Sequence, residues 1–222
     1  MLYVVATPIG NLEDITFRAL RILKEVDIVL AEDTRKSGFL LAHFAIKKPL
    51  VSFFEHNEIK KIPWVIEELK KGKKIAIISD AGTPTLSDPG YKLIRECRKE
   101  KIEVVSIPGP SSITAALSIT STPHDKFIFL GYLPRKHNER LKLFEKIKAL
   151  PAAIVFFESP FRILSALRDI KESVGDKKIA VIRELTKKFE EVLELSISEA
   201  IAHFEKTTPK GEFVLVLDGK EA

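Results

Sequence analysis

The sequence predicts an α/β fold, on two observations. Short β-branched runs alternate with stretches of helical periodicity. Several of those runs are solidly apolar, as in Ile75-Ala76-Ile77-Ile78, which fits strands buried on both faces of a sheet. The predicted strands cover residues 3–6, 28–31, 50–53, 75–79, 104–107, 127–131, 153–157, 179–182 and 213–217. Helix is expected over 15–24, with apolar residues at Phe17, Leu20 and Leu23, and over 62–71, closed by Gly72. A further helix is expected over 161–174, with Ser159-Pro160 supplying a cap and a first-turn proline and Gly175 closing it. Chain order reads mostly β-α-β. The stretch Thr120-Ser121-Thr122-Pro123-His124-Asp125 interrupts two periodic segments and marks a boundary. It divides the chain into an α/β domain over 1–120 and a second over 121–222.

Composition narrows the function classes. An apolar fraction of 45% over 222 residues supports real cores and excludes global disorder. The excess of 36 basic over 31 acidic residues permits a polyanionic partner without requiring one. One cysteine, Cys97, rules out an internal disulfide and a cysteine zinc cluster, and the five histidines lack metal-ligand spacing, so no metal is expected. No apolar run approaches the roughly 20 residues of a membrane span, and no basic leader precedes the first strand, so a soluble cytoplasmic protein without a membrane partner is expected. The absence of glutamine and the scarcity of asparagine, with abundant Lys, Glu and Ile, match a thermophile profile.

The chain carries no G-x-G-x-x-G, phosphate-loop, H-E-x-x-H or G-x-S-x-G motif. What stands out is small-residue and proline chemistry just after strands, where open α/β sheets bind ligands. Thr7-Pro8-Ile9-Gly10-Asn11 follows the first strand, and its proline and glycine shape either a ligand-approach turn or a plain connecting loop. Ser79-Asp80-Ala81-Gly82-Thr83-Pro84, then Ser87-Asp88-Pro89-Gly90, follow the fourth. Asp80 is placed there to hold a ribose hydroxyl or an amino group, and Gly82 to let the ligand approach; the competing reading is a double turn with an Asp cap. Pro108-Gly109-Pro110-Ser111-Ser112 precedes an Ala-rich helix whose first amides suit a carboxylate or hydroxyl, with a simple serine cap equally compatible. In the second half, Glu158 and Arg183 lie at strand ends, with a structural ion pair between them as the plain alternative.

Taken together, LYVVATPIGNL over 2–12, Glu32-Asp33-Thr34-Arg35, SDAGTPTLSDPG over 79–90, Pro108-Gly109-Pro110-Ser111, GYLPRK over 131–136, Glu158-Ser159-Pro160 and RELTK over 183–187 resemble the bacterial ribosomal RNA small-subunit methyltransferase I family. That family lies within the tetrapyrrole methylase-like class. The resemblance spans nearly the whole chain, with its blocks in order. It implies two α/β domains with a cofactor cleft between them, homodimerisation, and S-adenosylmethionine-dependent 2′-O-methylation of a cytidine ribose in 16S ribosomal RNA, either naked or in the assembled small subunit. It further implies cofactor contacts at Pro8, Ile9 and Gly10, at Asp80, Ala81, Gly82 and Thr83, and at Ser111 and Ser112. Phe157, Glu158, Leu185 and Thr186 would supply a second wall.

This chain departs from the family pattern in three places. Phe161 stands where the family often has a histidine, which removes that group as a base; Ser121-Thr122 replaces the usual Ser-Gly; and many relatives extend further at the C-terminus. A ribose hydroxyl is a weak acid, so a nearby base or cation helps its attack. Asp33 is the candidate base, with Arg35 and Lys187 as positioning cations; the alternative for Asp33 is a helix cap. Arg35, Lys36, Arg135, Lys136, Arg140, Lys187 and Lys188 are expected to form a phosphate-contacting rim.

Overall fold

A computed structural model of the chain describes residues 1–219. It forms two compact units, the first spanning Met1–Ser111 and the second beginning at Ser112. The boundary thus falls after Ser111 and not at Thr120. The intervening helix α5 (Ser112–Ser118) contacts strand β10 (Phe213–Leu217) of the second unit, and Ile113, Ala116 and Leu117 bury its apolar face.

The first unit is a wholly parallel five-stranded sheet. In chain order it reads β1 (Leu2–Val5), α1 (Phe17–Glu25), β2 (Ile28–Ala31), α2 (Thr34–His43), β3 (Leu50–Ser52), α3 (Glu58–Lys70), β4 (Ile75–Ile78), α4 (Tyr91–Lys99) and β5 (Val104–Ile107). The strands lie in the order β3-β2-β4-β1-β5. Every residue of β1, β2 and β4 is buried, because helices cover both faces of the sheet. Side-chain alternation then sorts the core. Tyr3, Val5, Val29 and Ala31 pack with Ala19 and Leu23 of α1 and Leu41 of α2. Leu2, Val4, Ile28 and Leu30 pack on the other face with Val65 and Leu69 of α3 and with Leu93 and Cys97 of α4. Burial pushes the Cys97 thiol up to about 11, so this cysteine is packing material and not a nucleophile.

Two helices differ from the periodicity reading. The inward face of α1 is Ala19, Ile22 and Leu23; Phe17 is 94% exposed, since Thr16 caps the helix and Phe17 opens its first turn on the solvent side. Helix α3 begins a turn before Pro63, at Glu58, whose buried carboxylate accepts from the Gly90 amide (3.2 Å) and pairs with Lys92 (2.7 Å).

The second unit holds α5, β6 (Phe127–Tyr132), α6 (His137–Ile147), β7 (Ala153–Glu158), α7 (Ile163–Val174), β8 (Lys178–Arg183), β9 (Glu191–Ser196), α8 (Ile197–Lys206) and β10. Its sheet is mixed, in the order β6-β7-β10-β8-β9. β6 and β7 are parallel, while β10 is antiparallel to both β7 and β8. Phe144, Phe156, Leu167, Ile170, Phe204 and Leu215 anchor one core on its helix-covered face. Helix α7 starts at Ile163, two residues later than the Ser159-Pro160 signal suggested. Residues 159–162 form a separate turn in which the Arg162 and Ile163 amides both bond the Ser159 carbonyl. Gly175 ends the helix at φ 81°. A buried ion pair joins α6 to α7: Arg140 Nε donates to Asp169 Oδ2 at 2.6 Å, and His137 Nδ1 lies 2.8 Å from Asp169 Oδ1. Among the described residues, no helix is long and apolar enough to cross a membrane.

Candidate active site

Three loops predicted from the sequence converge within the first unit because they leave the carboxyl ends of adjacent strands. β4, β1 and β5 are neighbours in the sheet, so the loops beginning at Thr7, Ser79 and Pro108 leave its edge side by side. A two-hydrogen-bond bridge locks the first to the second: the Thr7 amide donates to the Gly82 carbonyl at 2.9 Å, and the Gly82 amide to the Thr7 carbonyl at 3.0 Å. The Thr83 hydroxyl donates to the Pro110 carbonyl at 3.1 Å, which ties in the third. The bridge requires Gly82 at φ +76°, in the left-handed region. A Cβ there would lie 3.3 Å from Ile9 Cγ2. Pro8, Ile9 and Gly82 are buried, while Gly10 and Ala81 are exposed. Ser111 ends the third loop and Ser112 opens α5, a helix of only seven residues.

Asp80 differs from a free anchor. Its Oδ1 accepts the Asp33 amide at 3.0 Å and its Oδ2 pairs with Lys36 at 2.7 Å, so a ligand hydroxyl or ammonium must share or displace the lysine. Asp33 caps α2, accepting the Arg35 amide at 2.9 Å. The Arg35 guanidinium also grips both of its oxygens, at 3.0 and 2.6 Å. These bonds hold the Asp33 carboxyl far below the usual carboxylate range, which makes it a weak proton acceptor. The cap role weighed for Asp33 in the sequence is therefore the one its geometry supports.

Two carboxyls of the same unit lie on the opposite side of the scale, and sequence reasoning gave neither a role. Burial raises Glu32, with the Asp80 charge adding to it. Burial pushes Asp88 up to about 6, helped by the Glu32 and Asp80 carboxylates. The signal available was the repeated acidic-small-proline turn; which carboxylates share a strand edge is a tertiary fact. Ionising Asp88 costs the folded state, so its stabilising contribution is complete below about pH 3.8 and is lost as pH rises through about 6. Asp88→Asn is accordingly expected to raise stability by roughly 3 kcal/mol at pH 7.5 and to change nothing at pH 3.5. Urea midpoints at the two pH values check this; an equal effect at both would refute it.

In the second unit, Glu158 ends β7 fully buried. Its Oε1 pairs with Arg162 at 2.6 Å and accepts the Ser159 amide at 2.7 Å, whereas its Oε2 has no partner among the described residues. Burial raises its pKa. Arg183 stands level with Glu158 across Phe213 but pairs with Glu191 at 3.0 Å, so the Glu158–Arg183 ion pair considered from the sequence does not form. The RELTK loop is strained. Glu184 and Thr186 both have positive φ, 52° and 65°, the second unusual for a β-branched residue. Leu185 is buried, and the buried Thr186 hydroxyl has no hydrogen-bond partner among the described residues. Burial pulls Lys187 down, but Glu212 at 2.8 Å and Glu184 at 3.0 Å outweigh it and hold the ammonium above its ordinary value. Phe157 stacks edge-on against Phe129 and Tyr132. Arg140 leaves the predicted phosphate rim: it is buried against Asp169 and donates to the Pro134 and Arg135 carbonyls.

Comparison with known proteins identifies the family and the fold. Residues 1–201 match the family model of Tetrapyrrole (Corrin/Porphyrin) Methylases. The chain is 54% identical over 220 residues to the ribosomal RNA small subunit methyltransferase I of Thermotoga maritima, covering 99% of both chains. It is 45% identical to the protein of that name from Halalkalibacterium halodurans, covering 98% of this chain and 75% of the relative. Among solved structures, uroporphyrin III C-methyltransferase from Thermus thermophilus superposes with a TM-score of 0.69 at 15% identity, covering 98% of this chain and 97% of that one. A cobalt precorrin-4 methyltransferase gives 0.69 at 18%, covering 97% and 93%, so the fold is shared where the sequence is not. The chain belongs to the tetrapyrrole methylase family, within the group of ribosomal RNA small subunit methyltransferases I.

Proposed function

We propose that this chain transfers a methyl group from S-adenosylmethionine to the ribose 2′-oxygen of a cytidine in 16S ribosomal RNA of the small subunit, acting in the cytoplasm as a homodimer. The observation that carries the reading is the locked set of three loops at the ends of β4, β1 and β5, in a chain 54% identical to a named small-subunit methyltransferase. Two structural features fit a bound donor of this size and polarity. Gly82 leaves open the volume that a side chain would fill beside Ile9, and the orphaned Glu158 Oε2 and Thr186 Oγ1 are buried polar atoms awaiting a partner. The candidate donor contacts are Pro8, Ile9, Gly10, Asp80, Ala81, Gly82, Thr83 and Ser111 in the first unit, and Ser112, Phe157, Glu158, Leu185 and Thr186 in the second.

When bound, S-adenosylmethionine supplies a methyl already activated on a sulfonium. The chain's task is to align the attacking oxygen, and orientation of that kind is worth roughly 7–11 kcal/mol of barrier. Arg35 and Lys187 act as positioning cations for the RNA strand. Asp33 holds the Arg35 guanidinium in place and does not itself accept the proton. Asp33→Ala is expected to keep S-adenosylmethionine affinity while lowering turnover at least tenfold, through loss of Arg35 placement. Calorimetry and tritium transfer separate the two readouts, and unchanged turnover would remove the pair from the mechanism.

The decisive experiment is tritium transfer from labelled S-adenosylmethionine to small subunits, to naked 16S RNA and to a tetrapyrrole acceptor, followed by mapping of the modified nucleotide. Labelling of the tetrapyrrole alone, or of no RNA, would overturn the reading.

A further inference from the structure

The strand ends of the second unit carry aromatic rings that its core does not use. Phe161 is 95% exposed and Phe189 is 68% exposed. Lone exposed apolar residues need no explanation, but these two share an edge. β7 and β8 both run antiparallel to β10, with Glu158 and Arg183 each level with Phe213. Phe161 follows the first of these and Phe189 the second, so both rings leave the same end of the sheet, from strands two spacings or about 10 Å apart. β6 is parallel to β7 and ends at that edge too, with Tyr132 level with Phe157.

Charge decides what such rings would meet. The exposed cations Arg135 and Lys136 follow β6, and Lys188 sits 5.7 Å from the centre of the Phe189 ring. The same edge carries the exposed acids Glu190 and Glu212, engaged by the Thr186 amide and by Lys187, so it is mixed in charge, and the side chains set beside the rings are basic. An RNA strand brings the opposite charge together with flat bases. Protein recognition of RNA sequence works mainly on unpaired nucleotides stacked on aromatic side chains, because the base edges of a paired A-form helix are poorly accessible.

We propose that Phe161 and Phe189 form a stacking platform for unpaired bases of the RNA substrate, with Arg135, Lys136 and Lys188 on the neighbouring phosphates. The inference rests on the reading above in taking RNA as the substrate, and it names the form of that RNA: single-stranded or splayed nucleotides. Phe161 then gains a role of its own.

The test uses the full chain and a single-stranded RNA oligomer carrying the fluorescent base 2-aminopurine. The unaltered protein is expected to bind it and quench the fluorescence. Phe161→Ala and Phe189→Ala should each weaken binding about tenfold without altering its salt dependence. Phe161→Trp should restore the affinity. Lys188→Ala should instead lower the salt slope by about one phosphate contact. Because both rings are exposed, the alanine variants should unfold at the same temperature as the parent. Unchanged oligomer affinity in both alanine variants would overturn the platform, as would failure of the unaltered chain to bind. So would a change in oligomeric mass with quenching intact, which would assign the rings to a second copy. Methyl transfer by the unaltered chain is scored separately: binding and ring-dependent quenching without transfer would sink the methylation reading and leave the platform as an RNA-binding surface.

Discussion

Arg140→Leu is expected to lower the stability of the protein by about 3–5 kcal/mol and its thermal midpoint by about 10 °C. The guanidinium is buried and offers four hydrogen bonds or ion contacts at once, two to Asp169 and two to the carbonyls of Pro134 and Arg135. Removing it leaves the Asp169 carboxylate buried between His137 and a second carboxylate, Glu172, and frees the loop that joins β6 to α6. The cost is the uncompensated charge and not the worth of the pair itself. Replacing both partners, as Arg140→Leu with Asp169→Leu, should therefore recover much of the loss. Urea unfolding of the single and double variants measures it; a single variant within 1 kcal/mol of the parent would show that water reaches this site.

Gly82→Val is the change expected to reduce S-adenosylmethionine affinity most, by about a hundredfold or more. Valine at φ +76° is forced into a region that β-branched residues avoid, and its Cβ starts 3.3 Å from Ile9 Cγ2. Relief comes from breaking the Thr7–Gly82 bridge, which unlocks two of the three loops at once. A donor that binds only the locked arrangement must then re-form it at its own expense. Gly82→Ala keeps the strained φ without the branch and should lose less. Calorimetric titration reads the affinity, and the thermal midpoint, which should fall by only a few degrees, shows that the unit still folds. Undiminished affinity would remove this turn from the donor site.

The parallel half of the fold was the more legible in the sequence, because its strands are continuous apolar runs that only a doubly covered sheet explains. Strand β9 is not legible in the sequence. Glu191-Val192-Leu193-Glu194-Leu195-Ser196 mixes charge with apolar residues, as an edge strand does, and it follows closely on the turn-like RELTK block. The loops of the site were legible for the same reason that they are unusual, since proline, glycine and aspartate cluster only where the backbone must turn sharply. What each carboxylate does was not legible. Asp33, Asp80 and Asp88 look alike in the sequence, yet one is clamped by arginine, one is shared between an amide and a lysine, and one is crowded by burial and like charge. Arg140 reads as a surface cation in the sequence for the related reason that its partner lies 29 residues away on another helix.

The position of β10 has a consequence for how the protein is made. This strand sits in the middle of the second sheet but is synthesised after both of the strands it joins. Until residues 213–217 leave the ribosome, β7 and β8 each present an open row of amides and carbonyls, flanked by side chains destined for the core. The first unit, whose five strands are all complete by Ile107, has no such delay. Translation therefore yields a folded first half trailing a sheet with a gap at its centre. That interval, before the last strand drops into place, is when the nascent chain is most vulnerable to mispairing with its neighbours.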